Sequence, residues 1–517
     1  MIYKIYSYRI RCATSPSTPQ YSFLMIRFDI IRGILIGRRK HSLRCFMFFY
    51  SPNFMIFFLV LLIPYLVLKK QRLWLLAVAN AIFYVAHPEG FLVLFLAMAV
   101  LTFGIVHLMT VPRWRWMFWV GIVLNVLNLA FFKYTLFVLD NLKTWFGFQS
   151  AAADSIASSI VLPLGISFYT FEFISYLIDV RRGDSKPTRS FANFWVFVSM
   201  FPHLIAGPIM RGDELFPQLD KLREKKITWN DIRYGVYLFA IGMVKKVVIA
   251  DQLSPIVKEL FDKGPALTGT ESWMAAYTFS FYIYNDFSAY TDMAIGLGIM
   301  LGVRFADNFN SPYLSGSPSE FWRRWHMTLS RWIRDYIYIG LGGNRKGALR
   351  LYLNLMIAML ISGLWHGAMW TFVVWGGIHG LLQVVHRLSL GLNRWKWIAA
   401  ARESRIYRVA AIFIFYHVAT WTWVFFHAPS IDIALDMTWK MAHAHVGNIV
   451  RHPTFPLIVG LFAVHLAEYL LRKHEGRLGQ AWNHVPFPLR SAAYLLITLG
   501  LIYYLQGGKY EFIYFQF

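Results

Sequence analysis

Apolar runs separated by short basic loops set the plan of this chain. Residues 54–68, 90–108, 116–132, 407–428 and 491–506 are almost free of charge. Each approaches the ~20 residues with which a helix crosses a ~30 Å hydrocarbon core. Lys69, Lys70 and Arg72 follow the first run, and Arg113 and Arg115 precede the third. The pattern predicts an all-α, polytopic integral membrane bundle of about ten to twelve spans. Residues 47–142 and those after Gly380 read as plain scaffold.

Between about 156 and 380 the pattern is interrupted. VLPLGISFYTFEFISYLIDV carries Pro163, Gly165 and Glu172, and FPHLIAGPIMRGDE follows with Pro202, His203, Gly207 and Pro208. Broken backbone at membrane depth is tolerated only where it is buried in protein or lines a cavity. Residues 211–226 carry both signs of charge and belong at a surface. Asp286 and Asp292 are the only charges in 273–303, and acids inside a span face the bundle interior or a polar pathway. Six residues apart on a helix they diverge by roughly 120°, so they do not form a general acid–base pair. Tyr282 and Ser288, each at i−4, are the expected local partners, and a structural or cavity-lining part is preferred to catalysis. Gly296, Gly298 and Gly302 are read as sites of close helix packing.

Composition agrees with a membrane class. Only 15% of the 517 residues are charged, against 57% hydrophobic and 18% aromatic, where soluble domains carry about 25% charged residues. The formal charge of +24 sits in the loops, as the positive-inside bias and attraction to anionic lipid headgroups require, so no nucleic-acid partner is predicted. Both cysteines, Cys12 and Cys45, lie in the first 46 residues. A thiolate nucleophile, a Cys-ligated metal and a disulfide framework are thereby excluded for the body. Residues 1–46 hold nine Lys or Arg against Asp29 alone. They are expected to form a poorly ordered basic extension, of the kind an upstream start codon adds, ahead of one membrane domain over 47–517.

Within 317–367 two histidines stand out. Ser317, Pro318 and Glu320 read as a capping box opening one helix over 320–339. Trp322, Trp325, His326, Leu329, Trp332, Ile333 and Tyr336 then recur at helical spacing. Arg323, Arg324, Ser330, Arg331 and Arg334 fall off that stripe, so the helix is expected to lie in the membrane interface with His326 turned inward. His366 is bracketed by Gly363 and Gly367, and 351–386 contains no Asp, Glu, Lys or Arg. A desolvated imidazole stays neutral and can take a proton from a hydroxyl. Either histidine alone is as readily a packing residue. Their proximity in the chain and their inward settings favour a pair that reacts. No carboxylate lies near either, so no metal is predicted, and neither G-x-S-x-G nor a P-loop occurs.

YNDFSAYTDMAIGLG, FADNFNSPY, SEFWRRWHMTLSRWIRDYIYIGLGGNR and SGLWHGAMWTFVVWGGIHG, in that order, resemble the membrane-bound O-acyltransferases. The likeness is to the bacterial branch that modifies alginate, peptidoglycan, cellulose and teichoic acid. It is densest over 160–380 and extends in layout over 47–517. The resemblance implies a bundle around a central funnel or tunnel, with His366 at the family's invariant position and His326 at the second. Trp325, Asn308, Asn310 and Arg334 match positions expected to shape the substrate site, and Asp286 is placed with them. It further implies acetyl-CoA as donor substrate with no tightly bound cofactor, a periplasmic acetyltransferase partner, and a polysaccharide acceptor at the bacterial inner membrane. D-alanyl, lipid or protein acyl transfer remain alternatives, as does a transporter or export channel, though no internal repeat of the kind common in transporters is present.

Overall fold

The computed structural model describes residues 47–87, 91–474, 484–505 and 512–513; residues 1–46 and most of the tail 509–517 lie outside this set. Among the described residues every regular element is helical. Ten helices carry the argument: α1 Met117–Phe146, α2 Ile166–Arg182, α3 Trp229–Met243, α4 Gly269–Met300, α5 Pro318–Trp322, α6 Met327–Trp332, α7 Gly347–His366, α8 Trp370–Leu390, α9 Arg405–His427 and α10 Phe455–Lys473.

Among the described residues four stretches are long and apolar enough to cross a membrane: Pro112–Phe146, α7, α9 and α10. Pro52–Val67 and Lys69–Val85 would together make a fifth, but the pair bends by 116°. This is fewer than the ten to twelve spans expected. Helix α4, with 32 residues, is the longest single α-helix among the described residues, yet its many Tyr, Ser and Thr residues dilute its apolar character, and it is buried on every side. It is the axis of the bundle. Helix α3 packs against it closely: a Cβ on Gly235 would stand 2.6 Å from Gly296 O, and one on Gly242 2.6 Å from Ala289 O.

Gly296 therefore serves close packing, as expected. Gly302 does something else. It adopts φ +78° just past the end of α4, while Val303 N donates to Gly298 O at 2.8 Å. That is a left-handed helix stop closed by a six-to-one hydrogen bond.

Asp286 and Asp292 of α4 find partners far away rather than at i−4. After α3 the chain widens into a π-helical stretch, Val244–Ala250. Lys246 there meets Asp286 at 2.7 Å and Asp251 at 2.9 Å. Lys245 meets Asp292 at 2.7 Å and Glu468 at 2.5 Å, and Arg472 of α10 meets Asp292 at 3.1 Å. Ile513 N also donates to Asp286 at 2.6 Å. These ions form two clusters, Lys246 with Asp286 and Asp251, and Lys245 and Arg472 with Asp292 and Glu468, which tie the π-helical stretch to α4 and α10. The expected partners Tyr282 and Ser288 do not appear among these bonds.

Candidate active site

The single helix expected over 320–339 is two helices with a break at His326. Ser317 Oγ accepts from Glu320 N at 3.2 Å as the cap predicts, but the Glu320 carboxylate turns to Gly316 N at 2.9 Å. Helix α5 then ends at Trp322. At His326 the backbone enters the left-handed region, φ 41° and ψ 55°, which costs a non-glycine residue roughly 1–2 kcal/mol. Helix α6 starts directly after it and widens into π geometry over Ile333–Tyr338. The phase of the aromatic stripe survives the break. Trp322, Trp325, His326, Leu329, Trp332, Ile333 and Tyr336 are all buried, while Arg323 and Arg334 are exposed.

Asn308 holds the strained turn in place. Its carbonyl O accepts from Met327 N at 2.9 Å. Its side-chain Oδ1 faces Thr328 N at 3.2 Å, Thr328 Oγ1 at 2.6 Å and His326 Nδ1 at 3.3 Å. A backbone N–H can only donate, so the atom it meets on Asn308 is the oxygen. An oxygen there needs His326 Nδ1 to carry the proton. The lone pair of His326 then lies on Nε2, which is buried and has no hydrogen-bond partner among the described residues. The clamp extends one step further, since Ile209 N donates to Thr328 Oγ1 at 3.0 Å.

His366 arrives from the other side, at the last residue of α7 rather than part-way along it. Helices α7 and α8 form a hairpin whose arms touch through glycine: a Cβ on Gly363 would lie 2.3 Å from Phe372 O, and one on Gly376 2.4 Å from Met359 O. Any side chain there would push the hairpin apart and move its tip. The His366 ring is enclosed by Trp365, Trp375 and Phe426 at centroid distances of 5.0, 5.3 and 5.2 Å. His326 lies 6.4 Å from it and 4.7 Å from Phe287. His366 is 4% exposed and His326 0%. The fold therefore brings two buried imidazoles, their planes tilted by 60°, to 6.4 Å from one another in an aromatic chamber.

The other singled-out residues divide. Asn308 is at the chamber through His326. Trp325 stacks on Phe321 and abuts Trp423, which stacks on Trp375 behind His366. Asn310 is exposed and engages by its backbone, N to Arg324 O at 2.9 Å. Arg334 is 58% exposed and pairs with Asp335. Asp286 is taken up by Lys246, although its neighbour Phe287 faces His326.

Comparison with known proteins fits this geometry. The family model described as "MBOAT, membrane-bound O-acyltransferase family" matches residues 186–428, which contain both histidines. The "Probable alginate O-acetylase AlgI" of Azotobacter vinelandii is 41% identical over 406 residues, covering 76% of this chain and 77% of that protein. The protein of the same name from Pseudomonas putida is 36% identical over 511 residues, 92% of this chain and 99% of its own length. A "Peptidoglycan O-acetyltransferase" of Helicobacter pylori is 32% identical over 500 residues, 86% of this chain and 91% of the relative. The chain belongs to the membrane-bound O-acyltransferase family. It is a membrane enzyme, an O-acyltransferase.

Two polar groups of this acyltransferase escaped the reading of its sequence. His379 of α8 stands 4.8 Å from Trp375 and meets Thr422 Oγ1 at 3.1 Å, a third imidazole behind the chamber wall. Lys133 stands just past the apolar run 116–132, yet α1 continues beyond it to Phe146. A lone lysine inside a span is itself a signal of function. Asn308 offers a direct test of the clamp. Asn308→Leu leaves Thr328 N–H and His326 Nδ1 without their acceptor, a penalty of about 1–3 kcal/mol. Loss of the clamp lets His326 shift, and since a 1 Å misplacement can cost ~10²-fold, kcat should fall about tenfold or more with KM nearly unchanged. An unaltered kcat would remove Asn308 from the site.

Proposed function

We propose that this acyltransferase passes an acetyl group from cytosolic acetyl-CoA towards an exported, alginate-like polysaccharide at the bacterial inner membrane. The observation that carries the proposal is the pair of buried imidazoles, 6.4 Å apart, inside a family of O-acyl transferring enzymes. The names of the relatives supply the acetyl group and the glycan. A periplasmic acetyltransferase would then receive the acetyl group on its way to the polymer.

The chemistry follows from the setting. A hydroxyl oxygen between the rings gives its proton to an imidazole nitrogen and attacks the thioester carbonyl carbon. The new C–O bond forms, the C–S bond breaks, and the thiolate leaves with the proton held by the imidazolium. His366 acts as base, or as transient acyl acceptor in the same place, and His326, whose Nε2 lone pair can accept a proton, is its partner in proton transfer. The thioester supplies the driving force, so the step calls for no tightly bound cofactor. Aromatic walls exclude water, which would otherwise compete as acceptor.

The test uses purified protein in liposomes with acetyl-labelled acetyl-CoA and an acceptor glycan, with and without the periplasmic partner. Thiol release matched by label on the glycan is expected. Intact thioester throughout would favour the transport alternative, and turnover of a D-alanyl donor in place of acetyl-CoA would overturn the choice of acyl group.

A further inference from the structure

The end of α7 poses an energetic problem. The last four carbonyls of a helix lack intrahelical donors, and an apolar environment supplies none. Here α1 supplies them. Tyr134 Oη donates to Leu364 O at 2.9 Å. The Lys133 ammonium donates to Trp365 O at 2.5 Å, to His366 O at 3.1 Å and to Ser167 Oγ of α2 at 3.3 Å. An ammonium has three donors, and all three are used, so none is left for a substrate.

A simpler account would be a lysine whose stem lies along the bundle while its head seeks water. Position argues against it. The ammonium is turned inward onto the end of α7 and onto Ser167 of α2. No carboxylate among the described residues pairs with it. The charge is instead set against the partial negative end of α7 and lies 5.8 Å from the Trp365 ring centre. Both carbonyls that it holds belong to residues of the chamber: Trp365, which faces His326 at 5.9 Å, and His366 itself.

We infer that Lys133 is a positioning residue for His366: its ammonium ends α7 at that residue and pins the tip of the α7–α8 hairpin, with Tyr134 holding the carbonyl before. The inference goes beyond the proposed acyl transfer but rests on that reading for the part His366 plays. Lys133 thereby spends its charge on placing the imidazole, since displacement of a reacting group by 1 Å can cost ~10²-fold in rate.

The experiment compares the full-length protein with Lys133→Met, Lys133→Arg and Tyr134→Phe in liposomes. Two readouts are taken, kcat and KM for thiol release from acetyl-CoA, and amide hydrogen exchange of peptides covering 358–372. Lys133→Met should lower kcat by about tenfold or more, within the ~10²-fold that misplacement can cost. KM should change little, and exchange should quicken at the end of α7 while other helices stay protected. Lys133→Arg should recover part of both, and Tyr134→Phe should show a smaller local loss. A parent-like kcat and exchange pattern in Lys133→Met would overturn the inference, as would faster exchange spread evenly over the chain. Should Lys133→Met fail to insert, Lys133→Gln is judged by the same criteria. Absence of thiol release from the parent protein would count against the acyl-transfer reading alone, because the exchange measurement decides the cap without substrate.

Discussion

Replacing His366 by alanine is expected to lower kcat for acetyl transfer by roughly 10²–10⁴-fold, the usual contribution of a positioned acid–base group, with the protein still inserted and monodisperse. The ring is enclosed by three aromatic side chains, so its removal leaves a void as well as a missing base. His366→Gln retains most of the volume and separates the two effects: it should lose turnover without losing stability. The corresponding experiment at His326 needs different substitutions, because that backbone is left-handed. Asparagine tolerates the conformation better than alanine, so His326→Asn should be the more stable variant, and both should be nearly inactive. Activity is read as thiol released per folded molecule, and folding as the unfolding temperature in detergent. Full activity in either His366 variant would end the assignment of that residue.

The second large effect is structural. Lys246→Met removes the cation that Asp286 and Asp251 share. Breaking a buried pair on one side typically costs on the order of 3–5 kcal/mol, whereas replacing both sides can be neutral. Lys246→Met alone should therefore express poorly or unfold at a markedly lower temperature. Adding Asp286→Asn and Asp251→Asn should restore much of the loss. If Lys246→Met unfolds with the parent protein, the network carries no stability. If the triple variant is folded but inactive, Asp286 has a part in the reaction beyond its ion pair.

How far the chain could be read from its residues depended on the range of the interaction. Burial of the 322–336 stripe was legible because the aromatic spacing reports which way a side chain points, and that phase survives the break. The break itself was not legible. Trp325, His326 and Met327 are unremarkable helix residues, and the left-handed turn exists because Asn308, eighteen residues earlier, takes up its donors. The partners of Asp286 and Asp292 lie 40 to 227 residues away rather than at i−4. Local spacing cannot show such pairs. Lys133 had a visible signal, a charge within an apolar stretch, but its meaning depends on carbonyls more than 230 residues later. Neither Asn310 nor Arg334, both brought in by resemblance alone, comes into contact with the imidazoles.

The ion network also bears on how the chain enters the bilayer. Helix α4 places Asp286 near its middle, and an aspartate there costs about 2.5–3.5 kcal/mol when a helix is inserted by itself. Lys246 is synthesised 40 residues ahead of Asp286, so the π-helical stretch that carries it is already at hand when α4 leaves the ribosome. Arg472 comes 180 residues after Asp292. The physics thus orders the events: the segment 229–300 enters as one self-neutralising hairpin, and α10 docks later, sealing a cluster that has waited half-paired while 180 further residues are made.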